Sequence, residues 1–159
     1  MILATVGTHD AGFDRLVTAV DDLAAEWNEE IIIQRGSSAI EPQFATHFQW
    51  TSSERMEQLT RDARVVITHA AAGAIILGLC KQKPLILVPR LKQYGEHMDD
   101  HQQQLATALA AQGRAISVTF PTAVNLRFAL SAIAPSHHSA QNNQKLVSAL
   151  QQQLAEWAN

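Results

Sequence analysis

Val65-Val66-Ile67-Thr68-His69-Ala70-Ala71-Ala72-Gly73-Ala74 decides the reading of this chain. The β-branched residues Val65 to Thr68 have the composition of a buried strand. Small residues and one glycine, Gly73, follow, and then an apolar helical run begins. A strand that stops at such a turn and opens a helix aims unpaired backbone N–H groups at one point. The helix dipole adds positive potential there, so the turn suits an anion. A second strand, Pro84-Leu85-Ile86-Leu87-Val88-Pro89-Arg90, runs on toward Gly95-Glu96-His97-Met98-Asp99-Asp100-His101-Gln102. Its exit brings a dense polar cluster to the same sheet edge. Together the two segments point to a ligand that carries a nucleotide diphosphate.

Outward from this stretch, apolar spacing predicts a regular alternation. Strands are expected at Met1 to Val6, Glu30 to Gln34, Phe44 to Trp50 and Ala115 to Val118. Helices are expected at Phe13 to Trp27, from a cap at Ser52 or Ser53 to about Asp62, at Gly73 to Lys81, His97 to Gln112, Thr122 to Ile133 and Ala140 to Trp157. Strands alternating with helices predict an α/β fold, a Rossmann-like parallel sheet with helices on both faces. Ligands of such sheets bind beyond the carboxyl ends of the strands. The expected organisation is one domain over residues 1–159, with 140–159 as a C-terminal helix.

Composition narrows the function classes. The 159 residues are 47% apolar and 17% charged, enough for a packed core. Net charge is −3, which argues against a nucleic-acid partner, since such binders are normally basic. Cys80 is the single cysteine and is read as a small core residue, so no internal disulfide is possible. No apolar run reaches the roughly 20 residues of a membrane span. The chain begins with an apolar run and lacks the basic start of a secretory leader, so a cytoplasmic location is expected, with any membrane association coming through a partner.

Several motifs invite chemistry. Gly7-Thr8-His9-Asp10-Ala11-Gly12 has glycines spaced as in a phosphate-binding loop, but Phe13-Asp14 stand where that loop needs Lys and Ser or Thr. What remains is a flexible turn and the Thr8 hydroxyl at a helix start, suited to a phosphate or simply to a tight turn. His69 either donates to a phosphate or sugar oxygen or is satisfied by loop carbonyls. His97 and His101 have the spacing of one helical turn, yet no third ligand is evident and no metal is expected. Read as a polar cluster, His101, Gln102 and Gln103 can hydrogen-bond a sugar, while Glu96, Asp99 and Asp100 suit a helix start. Arg90 offers a cation for a diphosphate leaving group. Lys92 reads as a solvated loop charge, and His137-His138 as surface.

On these residues the chain resembles the C-terminal, donor-binding half of the GT-B glycosyltransferases of family 28. The resemblance rests on Gly7-Thr8 with Phe13-Asp14-Arg15-Leu16-Val17, on Gln34, Gly36 and Ser37, on His69 through Ala74, and on Gln82 through Ile86. Its most specific part is Pro89, Arg90, Gly95, Glu96, His97, Asp100, His101 and Gln102. The chain is similar to the small members of that family. These are the soluble subunit of the two-part N-acetylglucosaminyltransferase of N-glycan assembly and the bacterial subunit of an exopolysaccharide β-1,4-glucuronosyltransferase. The resemblance implies a UDP-sugar donor, no cofactor and no bound metal. It also implies an inverting transfer to a lipid-linked acceptor and a membrane-anchored partner subunit that holds the acceptor and the general base. It assigns donor binding to Gly7, Thr8, Gln34, Gly36, Ser37, His69, Ala71, Gly73, Ala74, Asp100, His101, Gln102 and Gln103, and catalysis to Arg90, Glu96 and His97.

The departures from the family pattern cluster near the same loop. Ala71 stands for its first loop glycine and Ala74 for its serine. Leu77 occupies the position where larger members carry an acidic residue for the ribose hydroxyls, and Gln82 replaces the glycine before Lys83-Pro84. Two rivals therefore accompany the donor-subunit reading. One is a degenerate copy that binds a nucleotide sugar or a partner without turnover. The other is a metal-dependent hydrolase built on His97, Asp100 and His101.

Overall fold

The computed structural model describes residues 1–133 and 147–152. Its elements are β1 (Ile2–Thr5), α1 (Asp14–Ala24), β2 (Ile31–Gln34), β3 (Thr46–Phe48), α2 (Ser53–Asp62), β4 (Val65–Thr68) and α3 (Ala72–Cys80). After these come β5 (Leu85–Leu87), a 3₁₀ turn (Lys92–Tyr94), α4 (His101–Ala111), β6 (Ile116–Ser117) and α5 (Ala123–Ala132). The six strands form one sheet in the order β3-β2-β1-β4-β5-β6. Every pairing is parallel, with Ile2 beside both Ile31 and Val65. The fold is the expected Rossmann-like α/β sheet. Its connections reverse direction between β1 and β4, and that is where such sheets bind ligands.

Alternation along the strands sorts the core into two layers. Ile2, Ala4, Ile31, Ile33, Val65 and Ile67 pack with α1 and α5 on one face. Leu3, Val66, Leu85 and Leu87 pack with α2, α3 and α4 on the other. β1, β4 and β5 are buried throughout, as strands covered on both faces must be. Residues 147–152 are helical, and Leu150 joins the second layer. The rest of the expected helix over 140–157, the loop before it and His137-His138 lie outside the described residues.

Two expectations need correction. The helix expected from His97 begins at His101, because residues 92–100 fold into the 3₁₀ turn, a left-handed Gly95 at φ 67° and a run of bends. Within this segment Glu96 accepts the Leu91 N–H at 2.9 Å, which closes the turn and keeps it non-helical. Cys80, read as a core residue, is exposed at the end of α3. α3 buries Ala72, Ile75, Gly78 and Leu79, and Cys80 falls off that stripe.

Candidate functional site

Parallel strands deliver all their carboxyl ends to one edge, so the loops after β1, β2, β4 and β5 converge there. The loops after β2 and β5 each carry side chains that brace their neighbours. Gln34, buried at the end of β2, accepts from the Thr5 hydroxyl at 2.5 Å and from the Gly7 N–H at 3.1 Å. Its amide donates to the carbonyls of Gly7 at 3.0 Å and Gln49 at 3.1 Å. Two donors and two acceptor positions are all a carboxamide has, so Gln34 is spent on neighbouring loops. Gly36, at φ 52°, backs this contact, and a Cβ there would lie 2.7 Å from the Gly7 carbonyl. Ser38 accepts the Phe13 N–H at 2.8 Å and fixes the start of α1 from across the turn.

Arg90 turns inward as well. Its side chain is fully buried, with the guanidinium 4.7 Å from the Phe13 ring. It donates to the carbonyls of Val6 at 3.1 Å, Ala11 at 3.0 Å and Gly12 at 2.8 Å. Burial lowers its pKa and Glu96 raises it. The expected leaving-group cation therefore clamps the β1–α1 loop and presents no nitrogen to either cleft wall. Glu96 is also engaged. It grips Arg15 through both oxygens, at 2.9 and 2.8 Å, while Arg15 donates to the carbonyls of Pro89 and Thr119. This ties the β5–α4 loop to α1.

Two clefts flank the β4–α3 turn. The first, about 350 Å³, is lined by Thr5, Gly7, Thr8, Gln34, Trp50, Thr51, Met56, Thr60, Val66, His69, Ala71, Gly73, Ala74 and Leu77. The second, about 380 Å³, is lined by Ala70, Ala71, Ala72, His97, Asp99, His101, Gln102 and Leu105. Ala71 belongs to both and is the N-cap of α3. α2 and α5 carry hydroxyl caps, Ser52 on Arg55 N–H and Thr122 on Asn125 N–H, whereas no side chain caps α3. Its first N–H groups are thus left for a ligand or water. Gly73 stands in this first turn, and a Cβ there would meet no atom within 4 Å.

His69 closes the floor of the first cleft. It is buried, and its ring fills the space above Gly7: a Cβ on Gly7, whose φ is 76°, would fall 2.4 Å from Cε1 of the imidazole. Its pKa is pushed down to about 4, mainly by burial and next by the Arg90 charge, with His9 and His97 adding to it. The ring is neutral at pH 7. His97 and His101 share Asp99, their Nδ1 atoms lying 3.1 and 2.7 Å from its two oxygens. Asp99 is held below the ordinary carboxylate value, first by the His101 hydrogen bond. Asp99 thus orients both imidazoles on the wall of the second cleft. They are not one turn apart on a helix, and among the described residues no group of three His, Cys, Asp or Glu side chains is placed to hold a metal.

Of the expected donor-binding residues, Gly7, Thr8, Gln34, His69, Ala71, Gly73 and Ala74 line the first cleft, and Ala71, His101 and Gln102 the second. Gly36, Ser37, Asp100 and Gln103 line neither. Asp100 accepts the Lys92 N–H at 3.2 Å. Gln102 lines the second cleft while its Oε1 accepts the Arg90 backbone N–H at 3.1 Å. Sequence reasoning missed Trp50, Thr51, Met56 and Thr60, which build the outer wall of the first cleft. A tryptophan at the end of a short strand, followed by the polar run that starts α2, was the signal available for it.

The description "glycosyltransferase family 28 C-terminal domain" fits residues 1–156. No curated protein matches the chain. Among solved structures, the glycotransferase of kitacinnamycin is 20% identical with a TM-score of 0.65, and the match covers 95% of this chain and 39% of that one. CalG4, the calicheamicin glycosyltransferase, is 16% identical with a TM-score of 0.65, over 95% of this chain and 38% of that one. The chain thus spans about two fifths of the length of both. The solution structure of ALG13 is 21% identical with a TM-score of 0.60, over 92% of this chain and 94% of that one.

Proposed function

Since the chain belongs to the glycosyltransferase family 28 C-terminal domains, we propose that it is the donor-binding subunit of an inverting glycosyltransferase. The donor is a UDP-sugar. The observation that carries this reading is the shared Ala71: two clefts of different chemistry meet at the uncapped start of α3. A nucleotide sugar has the same three-part layout. Its base and ribose suit the first cleft, where Trp50 is half exposed beside Met56 and Leu77. Its diphosphate suits the α3 N–H groups, where the helix dipole favours negative charge. Its hexose suits the second cleft, where His97, Asp99, His101 and Gln102 offer hydrogen bonds.

In the transfer, an acceptor oxygen attacks the anomeric carbon and the bond to the β-phosphate oxygen breaks. The proton of the acceptor goes to a base on the partner half, and the electron pair leaves with UDP. The α3 N–H groups meet charge that grows on the departing diphosphate, so they favour the transition state over the bound donor. Arg90, Glu96 and Gln34 are positioning residues in this account. The acceptor is lipid-linked, and the product belongs to exopolysaccharide or a related glycan. A membrane-anchored partner supplies the acceptor half on the cytoplasmic side, and the chain alone does not turn over. This chain and ALG13 cover one another nearly end to end, which favours a donor half acting with a separate partner. Among the described residues no helix is long and apolar enough to cross a membrane.

A thermal-shift series with UDP, UDP-N-acetylglucosamine, UDP-glucuronate and GDP tests the reading. A ligand at ~100 times its dissociation constant adds about 2.7 kcal/mol to the folded state. A uridine-selective rise is expected, larger for one of the sugars than for UDP alone. The small, uncharged lining at Ala71, Ala74 and Leu77 favours one rival, a copy that binds without turnover. That rival predicts the same shifts but no transfer when the partner is added. No shift with or without the partner would overturn both.

A further inference from the structure

The first cleft contains no charged side chain: its fourteen lining residues include no Asp, Glu, Lys or Arg. Most of its hydrogen-bonding side chains are also committed. The Thr5 hydroxyl donates to Gln34, the Gln34 carboxamide is filled by its own loops, and the Thr60 hydroxyl donates to the Met56 carbonyl at 2.8 Å. His69 is neutral and its ring is stacked into Gly7. Thr8, Thr51 and the indole N–H of Trp50 remain, all exposed to solvent. With the phosphates on the first turn of α3, a pentose lying along this cleft meets the lining residue on the next turn of the helix. The side chain there is Leu77, four residues after Gly73 and so on the same face. Leu77 lines the cleft and does not belong to either buried core layer.

Resting on the nucleotide reading above, we infer that this site is indifferent to the ribose 2′-hydroxyl, and that Leu77 sets that indifference. The donor class then includes 2′-deoxyribonucleoside diphosphate sugars as well as ribonucleoside ones. The physical reason is an asymmetry of recognition. A pocket built to hydrogen-bond a hydroxyl rejects the analogue that lacks it, because its own polar groups are left unpaired. A pocket walled by Leu77, Met56 and Trp50 strands nothing when the hydroxyl is missing, and an exposed threonine exchanges water for ribose at little net gain. A carboxylate on this face would do the opposite, since acidic side chains are the usual partners of ribose hydroxyls in sheets of this kind.

The test is a calorimetric comparison of UDP with 2′-deoxy-UDP on the intact chain, repeated on Leu77→Glu and Leu77→Gln. The unmodified protein is expected to bind the two within about threefold, and Leu77→Glu to favour UDP by about tenfold or more. UDP binding with 2′-deoxy-UDP weaker by more than about tenfold would overturn the inference and leave the nucleotide reading standing. Binding of neither, with the partner half present as well as absent, would overturn the nucleotide reading itself. Equal binding to both Leu77 variants, each folded by circular dichroism, would remove Leu77 as the determinant. Leu77→Gln supplies the same geometry without charge, so it separates hydrogen bonding from repulsion between Glu and the diphosphate.

Discussion

The β1–α1 loop and the β4–α3 turn sit side by side at the sheet's switch point and are built in opposite ways. The first is held by polar side chains arriving from elsewhere: Gln34 on Gly7, Ser38 on Phe13, Arg90 on Val6, Ala11 and Gly12. The second, after the buried His69, is made of alanines and one glycine, with no side-chain cap on its helix. Arg90, Glu96 and Gln34 do the bracing, and the start of α3 that both clefts share is left to plain residues. A bound anion needs both. The turn supplies open N–H groups, and the braced loop keeps the opposite wall in place without presenting competing carboxylates.

Removing the brace gives the largest expected effect. Arg90→Met would strand the buried carbonyl of Val6 and the part-buried ones of Ala11 and Gly12, and hydrogen bonds to a charged donor are worth about 1.5–3 kcal/mol each in net terms. A loss of at least about 3 kcal/mol in denaturant unfolding is expected, since the bonds are not additive. Arg90→Lys keeps the charge but not the planar fork, so it should recover only part of this. A variant with unchanged stability but weakened nucleotide binding would break the comparison, because Arg90 would then act on the ligand and not on the loop.

His69 joins the two regions, and acid tests how tightly. Its folded pKa of about 4 lies below the ordinary value of 6.5. Between those values the unfolded chain takes up a proton that the folded chain refuses, so this contribution is complete above pH 6.5 and is lost as pH falls toward 4. The linkage amounts to about 2 kcal/mol at pH 5 and about 3 kcal/mol near pH 4, then levels off. Glu29, held near pKa 2 chiefly by Arg64, loses its contribution only below about pH 4.5, in a separate window. Urea titrations at pH 7, 6 and 5 should show the slope, and His69→Asn should flatten it. An unchanged slope in that variant would mean that the imidazole is reached by water and does not seal the floor.

Much of this was legible from sequence. Runs such as Val65 to Thr68 are buried on both faces, and β-branched composition reports that directly. The loop ends were legible too, because glycine and small residues mark strand exits. What a strand exit cannot reveal is the direction a long side chain takes from it. Arg90, Glu96 and Gln34 have the right chemistry for a ligand, and they turn toward carbonyls and N–H groups of loops far away in sequence, such as Ala11 for Arg90 and Gly7 for Gln34. The start of α4 was misplaced for a related reason: the Glu96 carboxylate closes a local turn on Leu91, a side-chain choice that periodicity does not encode. Trp50 went unnoticed because its role depends on α3 lying opposite.

The smallest effect sharpens the account of α3 at its other end. Gln82 is the one non-glycine residue with positive φ among the described residues, at 55°. It follows the last turn of α3: its N–H reaches the Leu79 carbonyl at 3.0 Å, and the Lys83 N–H reaches Gly78 at 2.9 Å. That is the left-handed closure in which a Cβ is crowded by its own carbonyl and glycine is favoured. Gln82→Gly removes that strain but adds flexibility to the unfolded chain, so a net gain of about 0.5–1 kcal/mol is expected. The same position tests whether α3 is poised at both ends. If Gln82→Gly raises stability and leaves nucleotide affinity unchanged, the helix start is set independently of its closure. A rise in affinity together with stability would mean that strain at Gln82 reaches the N–H groups at Ala72 and Gly73, so that the turn is softer than its packing against β4 and β5 implies.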